Sequence, residues 1–586
     1  MEKYTWSLDI LYSGYQDESF IYDFNQLNNE VEACKLLQSQ LVQLDCTTAV
    51  KAIVEKVESL YQLYAKLSSF VFLKQSTNTS DSETSSYLGQ IQERFSNVSK
   101  TMAQFERYIS QVENLETIIN ENEDLQEYAY FLTNIKNNGK YLLSDDVEEM
   151  ISKLNLSAGG AWELMHSYLT SSLKVEYRDE IIPLSQVRNL AYEADAQVRK
   201  DAYHAELKAY DKIKDAISFS LNNIKSQVNT ITKTRGFESP LAYTLHQSHM
   251  QKATLDAMFS AIKDYMPYFH QYLKRKSELL GHENGLPWYD LFAPIGAAST
   301  KKFTVEETKE YLVTHFKGFA QDLADMVAQA FDENWSDFYP RNGKRGGAFC
   351  SGVHGYKQSR ILTNFNGELG DVVTLAHELG HAYHNKMVED NSILNSDYSM
   401  PVAETASTFN ENIIMNDVIN EASTEEKIGL IENQLQDLTQ IICDIYSRFL
   451  FESEVFERRQ NEFLFPEQLE DIMLRAQKEA YGNGLDHNCL HPYMWINKGH
   501  YYSSDLSFYN FPYAFGGLFA RGLIVKYQEL KEEFLPKYQQ LLKATPIMDV
   551  EDVAKLVDID LTSKEFWVSA LETAKTRIEE FLELTK

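Results

Sequence analysis

Three histidines and a glutamate stand together in "TLAHELGHAYHNK", residues 374–386. The centre of the stretch is HExxH: His377, Glu378, Leu379, Gly380, His381. On a helix, residues four apart lie on one face, about 6 Å apart along the axis. Two imidazoles so placed can converge on one zinc ion at about 2.0–2.1 Å. Glu378 is rotated about 100° from His377, so it lies beside the ligands and can act as base toward a water there.

The surrounding residues predict that helix. Val372, Leu375, Ala376, Leu379, Ala382 and Tyr383 recur at three and four and form an apolar stripe away from the histidines. Asp371 is the expected N-cap. Gly380 costs about 1 kcal/mol against Ala in a helix interior, so its presence predicts a close approach by another element. HExxH alone is incomplete, because catalytic zinc usually takes three protein ligands and a water. The stretch "SMPVAETASTFNENIIMND", residues 399–417, supplies candidates. Pro401 suits a helix start. Glu404, Thr408 and Glu411 share one face, and Val402, Ala406, Phe409 and Ile413 the other. Glu404 is the expected third ligand, and Glu411 a partner that orients a ligand histidine. The competing reading makes both solvated surface glutamates. His384 lies one turn beyond His381 and reads as a hydrogen-bonding neighbour, a ligand only if Glu404 is not.

The rest of the chain must position these groups. Its 586 residues allow a large core and more than one domain. With only 12 prolines and 25 glycines, long helices are favoured over many turns. The net charge of −31 argues against nucleic acid as a partner. Five scattered cysteines without a CxxC pair fit a reducing compartment. The N-terminus shows no signal-peptide pattern, and no run of eighteen apolar residues predicts a membrane span, so the chain reads as cytoplasmic.

Residues 25–135 read as amphipathic helices, interrupted by a solvated connection at 76–86, "STNTSDSETSS". Residues 190–230 form one long helical pattern. Gly and Pro make 281–300 a loop region. The Gly-rich 341–370 contains "SRILTNF", the best strand candidate, immediately before the histidine segment. After residue 400 the chain is helical again up to the Tyr- and Gly-rich "GHYYSSDLSFYNFPYAFGG", 499–517.

HELGH followed by "PVAETASTFNE" resembles the oligoendopeptidase F branch of the thimet-oligopeptidase-like zinc peptidases. "LPWYDLFAPIG" (286–296), "KRGGAFCSG" (344–352), "SRILTNFNGELGDVVTLAHELGHAYH" (359–384) and the late Tyr-rich segment agree. The resemblance implies a mainly α, two-lobed, zincin-like fold with a deep substrate channel and a small β-sheet next to the HExxH helix. An N-terminal helical region, 1–185, would face a catalytic domain, 186–586. His377, His381 and Glu404 match the zinc ligands, one Zn2+ per chain, and Glu378 matches the general base. A late His and Tyr residues bind substrate and the tetrahedral intermediate in this family. His500, Tyr509 and Tyr513 are the nearest matches, and the longer spacing after His500 leaves Tyr501 or Tyr502 as substitutes.

An extended peptide could pair with the exposed edge of "SRILTNF". Gly346, Gly347, Gly352 and Gly355 would let the neighbouring loop approach it closely. His354 is either a substrate contact or an ordinary loop histidine. Cys350 lacks a partner pattern for a nucleophile. The expectation is an endopeptidase for short unstructured peptides, with no nucleic acid or membrane partner and a monomer favoured. The alternatives are a zinc exopeptidase using the same site and a non-catalytic helical peptide-binding protein.

Overall fold

The computed structural model describes residues 4–296 and 301–586, and the chain there is mainly helical. No described helix is long and apolar enough to cross a membrane. Helices begin where short polar side chains cap them. Asp45 accepts from the Thr48 N–H and opens the 32-residue helix Cys46–Thr77, whose Val50, Ile53, Val57, Leu60 and Leu67 form its buried stripe. Asp81 caps the next helix, Ser82–Ser96, in the same way. The polar connection expected over 76–86 is therefore shorter: residues 82–86 are already helical, because Ser, Thr and Asp serve a helix start as well as a loop.

Two apolar cores form. One gathers side chains from Trp6 to Leu132, with Val353 and Leu362. The other runs from Leu173 to Phe581 and contains the elements around HExxH. The long helix expected over 190–230 is two, Ala196–Tyr210 and Lys214–Arg235. The break at Asp211 places its carboxylate to accept from the Tyr493 hydroxyl at 2.7 Å, a tertiary contact that overrides local periodicity. Residues 281–296 form the expected loop, with a short 3-10 turn at Trp288–Asp290; the last four residues of that segment lie outside the described residues.

Strands β1 (Lys174–Tyr177) and β2 (Glu180–Pro183) make an antiparallel hairpin. Strands β3 (Ser336–Asp337), β4 (Phe349–Val353) and β5 (Gln358–Leu362) form a sheet in the order β3-β5-β4, with β3 parallel and β4 antiparallel to β5. The strand predicted from "SRILTNF" is β5, but it is central. Its backbone pairs with β4 along its length and with β3 at Ile361 and Leu362, and Ser359 and Arg360 are buried, so it offers a peptide no open edge. The sheet edges are β3 and β4, and β4, one segment earlier, is the longer. The sheet joins the two cores: Val353 and Leu362 belong to the first, Ile361 and Phe365 to the second.

Candidate metal centre

HExxH lies on the helix Leu369–Val388, the histidine helix. Its apolar stripe, Val372, Leu375, Ala376, Leu379, Ala382 and Tyr383, is buried throughout. Each leucine so buried contributes roughly 1.5–3 kcal/mol, which fixes the helix and the opposite, histidine-bearing face. Asp371 is not the N-cap. The helix starts three residues earlier, and Asp371 closes it from inside, accepting from the Asn366 and Glu368 N–H groups at 2.8 and 2.9 Å.

Pro401 opens a short helical turn, Met400–Ala403, and the chain bends at Glu404 before the helix Thr405–Glu421, the glutamate helix. The bend turns the Glu404 carboxylate toward both histidines. Its Oε2 lies 3.3 Å from His377 Nε2 and 3.3 Å from His381 Nε2. The ligand atoms of His377, His381 and Glu404 all fall within 4.8 Å of one another, the one such group among the described residues. Donors around a tetrahedral zinc, each at about 2.0–2.1 Å, sit about 3.3–3.4 Å apart, so this donor set fits zinc in type and spacing. His377 Nδ1 faces Glu411 Oε2 at 3.2 Å, the arrangement that fixes a ligand imidazole's tautomer and orientation.

The charge balance points the same way. Burial lowers the His377 pKa, but the Glu404 and Glu411 carboxylates outweigh it and lift it to about 10. Burial opposes ionisation of Glu404, yet both histidines hold it well below the usual carboxylate range. The same negative field would favour a metal cation, which would bind by displacing that proton. Glu378 is 6% exposed and has no hydrogen-bond partner among the described residues. Burial raises its pKa, with His377 and His381 pulling the other way.

Gly380 explains how the two helices meet. A β-carbon there would lie 2.5 Å from both the Ala406 carbonyl oxygen and the Ser407 Cα. The close approach predicted at Gly380 is therefore that of the glutamate helix. His384 points elsewhere. It is fully buried, flat against Tyr398 at 4.1 Å, and its Nε2 shares a hydrogen bond with Thr545 Oγ1 at 2.8 Å. Burial, then the charge of His381, brings its pKa to about 3, so the ring is neutral. It makes no hydrogen bond to His377, His381 or Glu404.

His500, Tyr509 and Tyr513 come together. His500 meets Tyr509 edge-on at 4.8 Å and lies parallel to Tyr513 at 6.0 Å, and the two tyrosines are 5.4 Å apart. Tyr513 stands on the helix Phe511–Leu530, the tyrosine helix. One turn on, a β-carbon at Gly516 would lie 3.2 Å from Glu404 Cβ, so this helix packs directly on the third ligand. Burial, then Tyr509, keeps the Tyr513 phenol protonated, with the nearby Glu404 charge adding to the effect. Tyr501 and Tyr502 are not substitutes: both are 1% exposed, and Tyr502 stacks on His166 while donating to the Trp495 carbonyl. Asn510 sets the start of the tyrosine helix. Its Oδ1 accepts from the Phe511 N–H, and its Nδ2 donates to Glu452, which is paired with Lys225 at 2.7 Å in full burial. Sequence reading passed over Asn510 and Gly516; the one visible signal was a GG pair inside an apolar helix.

The glycine loop is more dispersed. Gly346 and Gly347 face open space, whereas Gly352 on β4 faces Asn385 of the histidine helix. Cys350, also on β4, feels the Glu378 charge, but burial above all holds its thiol protonated. His354 lines a cavity with Asn385, Lys386 and Glu389, more than a turn beyond His381 along the histidine helix.

Residues 189–573 match peptidase family M3, and residues 111–174 match an N-terminal family described as oligopeptidase F. Group B oligopeptidase PepB of Streptococcus agalactiae is 24% identical over 99% of this chain and 96% of its own. Oligopeptidase PepF of Bacillus subtilis is 24% identical over 80% of this chain and 71% of its own. Among solved structures, oligoendopeptidase-F from Enterococcus faecium superposes with a TM-score of 0.72 at 20% identity, covering 97% of this chain and 99% of that one.

Proposed function

The chain belongs to peptidase family M3, and from that premise we propose that it is a zinc-dependent endopeptidase that hydrolyses internal bonds of short, unstructured peptides. The observation that carries the reading is the convergence of His377, His381 and Glu404 at 3.3 Å beside a buried Glu378. Zinc bound by these three residues supplies a Lewis acid and a water of lowered pKa.

The chain's own residues do the rest. Glu411 holds His377 in the tautomer that leaves Nε2 free to ligate. Glu378 takes the proton of the attacking water and delivers it to the leaving amine nitrogen. Its burial favours that role, since a carboxylate of raised pKa is a stronger base when ionised and gives up the proton again only as the amine leaves. The phenols of Tyr509 and Tyr513 are the donors for the oxyanion, and His500, neutral through burial and the neighbouring Arg448 and Lys498 charges, lies against both rings. An extended peptide would add to the β4 edge, and Gly346 and Gly347 would keep that approach clear. The substrate would lie between an N-terminal region, 1–185, and a catalytic region, 186–586.

A peptide of about ten residues, blocked at both ends, tests the reading. Cleavage at an internal bond is expected, with loss on chelation and recovery with zinc. An exopeptidase would leave the blocked peptide intact while trimming the free one, and that outcome overturns the endopeptidase reading. The oxyanion donor is tested by Tyr509→Phe and Tyr513→Phe made separately. The donating phenol should cost about 10²-fold in kcat with KM little changed, and two variants both within threefold of wild type would remove the role from both tyrosines.

A further inference from the structure

Between the glutamate helix, the tyrosine helix and the last helix, Lys564–Leu584, lies an open cavity of about 380 Å3. Asn412, Asn416 and Asn420 line it, at roughly 100–180° around the helix from Glu411. Arg521 and Arg577 complete the charged part of the wall, Thr576 lies at its rim, and no carboxylate lines it. In a chain with net charge −31, a concave site with two cations and no acid runs against composition.

Arg521 is the unusual member. Among the described residues it forms no ion pair within 4.0 Å and one hydrogen bond, a long one, 3.5 Å to Thr573 Oγ1. A guanidinium carries five N–H donors and stays charged, so most of this one's capacity is unmet. Glu411 and Asp437 influence it electrostatically but stay beyond contact. Arg577 is held differently: it pairs with Glu580 at 2.7 Å and donates to Asn416 Oδ1 at 2.8 Å. That bond uses the oxygen of Asn416 and leaves its NH2 group to donate elsewhere.

We propose that this cavity binds a small oxyanion, phosphate or sulfate, with Arg521 as the principal contact. A planar fork with free donors suits two oxygens of such an anion, and the amides around it add neutral donors without competing charge. The site is distinct from the metal centre, since none of His377, His381, Glu404 and Glu411 lines it.

Titration calorimetry of the full chain with inorganic phosphate, and with sulfate, at fixed ionic strength tests the proposal. One saturable site is expected for either anion, with chloride giving no comparable heat. Arg521→Gln should weaken it at least about tenfold. Thr576→Asp should weaken it too, by placing a carboxylate at the exposed rim while leaving Arg521 and its neighbours intact; it decides the question if the first variant does not fold. Heats no larger than those of chloride, or binding unchanged in Thr576→Asp and in any folded Arg521→Gln, would overturn the proposal. The second result would also place any oxyanion binding outside this cavity.

Discussion

Glu378→Gln is expected to lower kcat/KM by about 10²–10⁴-fold while leaving the zinc content unchanged. The range is what a positioned general base contributes, and it corresponds to about 2.7–5.5 kcal/mol of barrier. The substitution is close to isosteric, and the replaced carboxylate has no protein hydrogen bond to lose among the described residues. Its neighbours His377 and His381 keep their contacts to Glu404. Stability should therefore hold or rise slightly, since a buried charge becomes a neutral amide. Measuring kcat/KM, bound zinc and Tm on the same preparation separates the possibilities. Full activity with full zinc would show that Glu378 does not move the proton. Loss of zinc would show instead that Glu378 acts on the metal site, and the role assigned to it here would fail.

The sequence made this centre legible because its parts are local. HExxH, the apolar stripe from Val372 to Tyr383, and a carboxylate-bearing helix beginning at Pro401 each obey a helical period, and a period can be read without a partner. The contacts between elements could not be read that way. That β5 is central and β4 an edge depends on β3, more than twenty residues upstream of β5. Whether Tyr501 and Tyr502 or Tyr509 and Tyr513 are left accessible depends on which are walled in by His166, Trp495 and Phe451, from distant parts of the chain. All four are tyrosines in one aromatic run, so residue type did not discriminate. Arg521 shows the same limit from the other side. Nothing in "GGLFARGL" says that its guanidinium lacks an ion pair among the described residues; only the packing of three helices does.

Gly380 is the residue at which local and tertiary reasoning give opposite signs, and Gly380→Ala should follow the tertiary one. Intrinsic propensity predicts a gain of up to about 1 kcal/mol for alanine in mid-helix. The added β-carbon, however, would stand 2.5 Å from the Ala406 carbonyl oxygen and from Ser407 Cα, both main-chain atoms that cannot rotate aside. Overpacking of this kind costs roughly 1–3 kcal/mol, which exceeds the gain, so net destabilisation is expected. The helices can relieve it only by separating, and Glu404 lies two residues from the point of contact. Its carboxylate would then leave the 3.3 Å positions beside His377 and His381. A metal site tolerates shifts of only about 0.2 Å in its ligand distances. Zinc affinity should fall by about 10–100-fold, and the misplaced reacting groups should cost about 10²-fold more in turnover. At limiting zinc the two effects multiply, giving a loss of about 10³–10⁴-fold, of which excess zinc recovers only the first part. Gly370→Ala is the control: it lies on the same helix, a β-carbon there meets nothing within 4 Å, and it should leave zinc, turnover and Tm unchanged or slightly improved. Equal behaviour of the two variants would mean that the approach of the glutamate helix at Gly380 does not hold the third ligand in place.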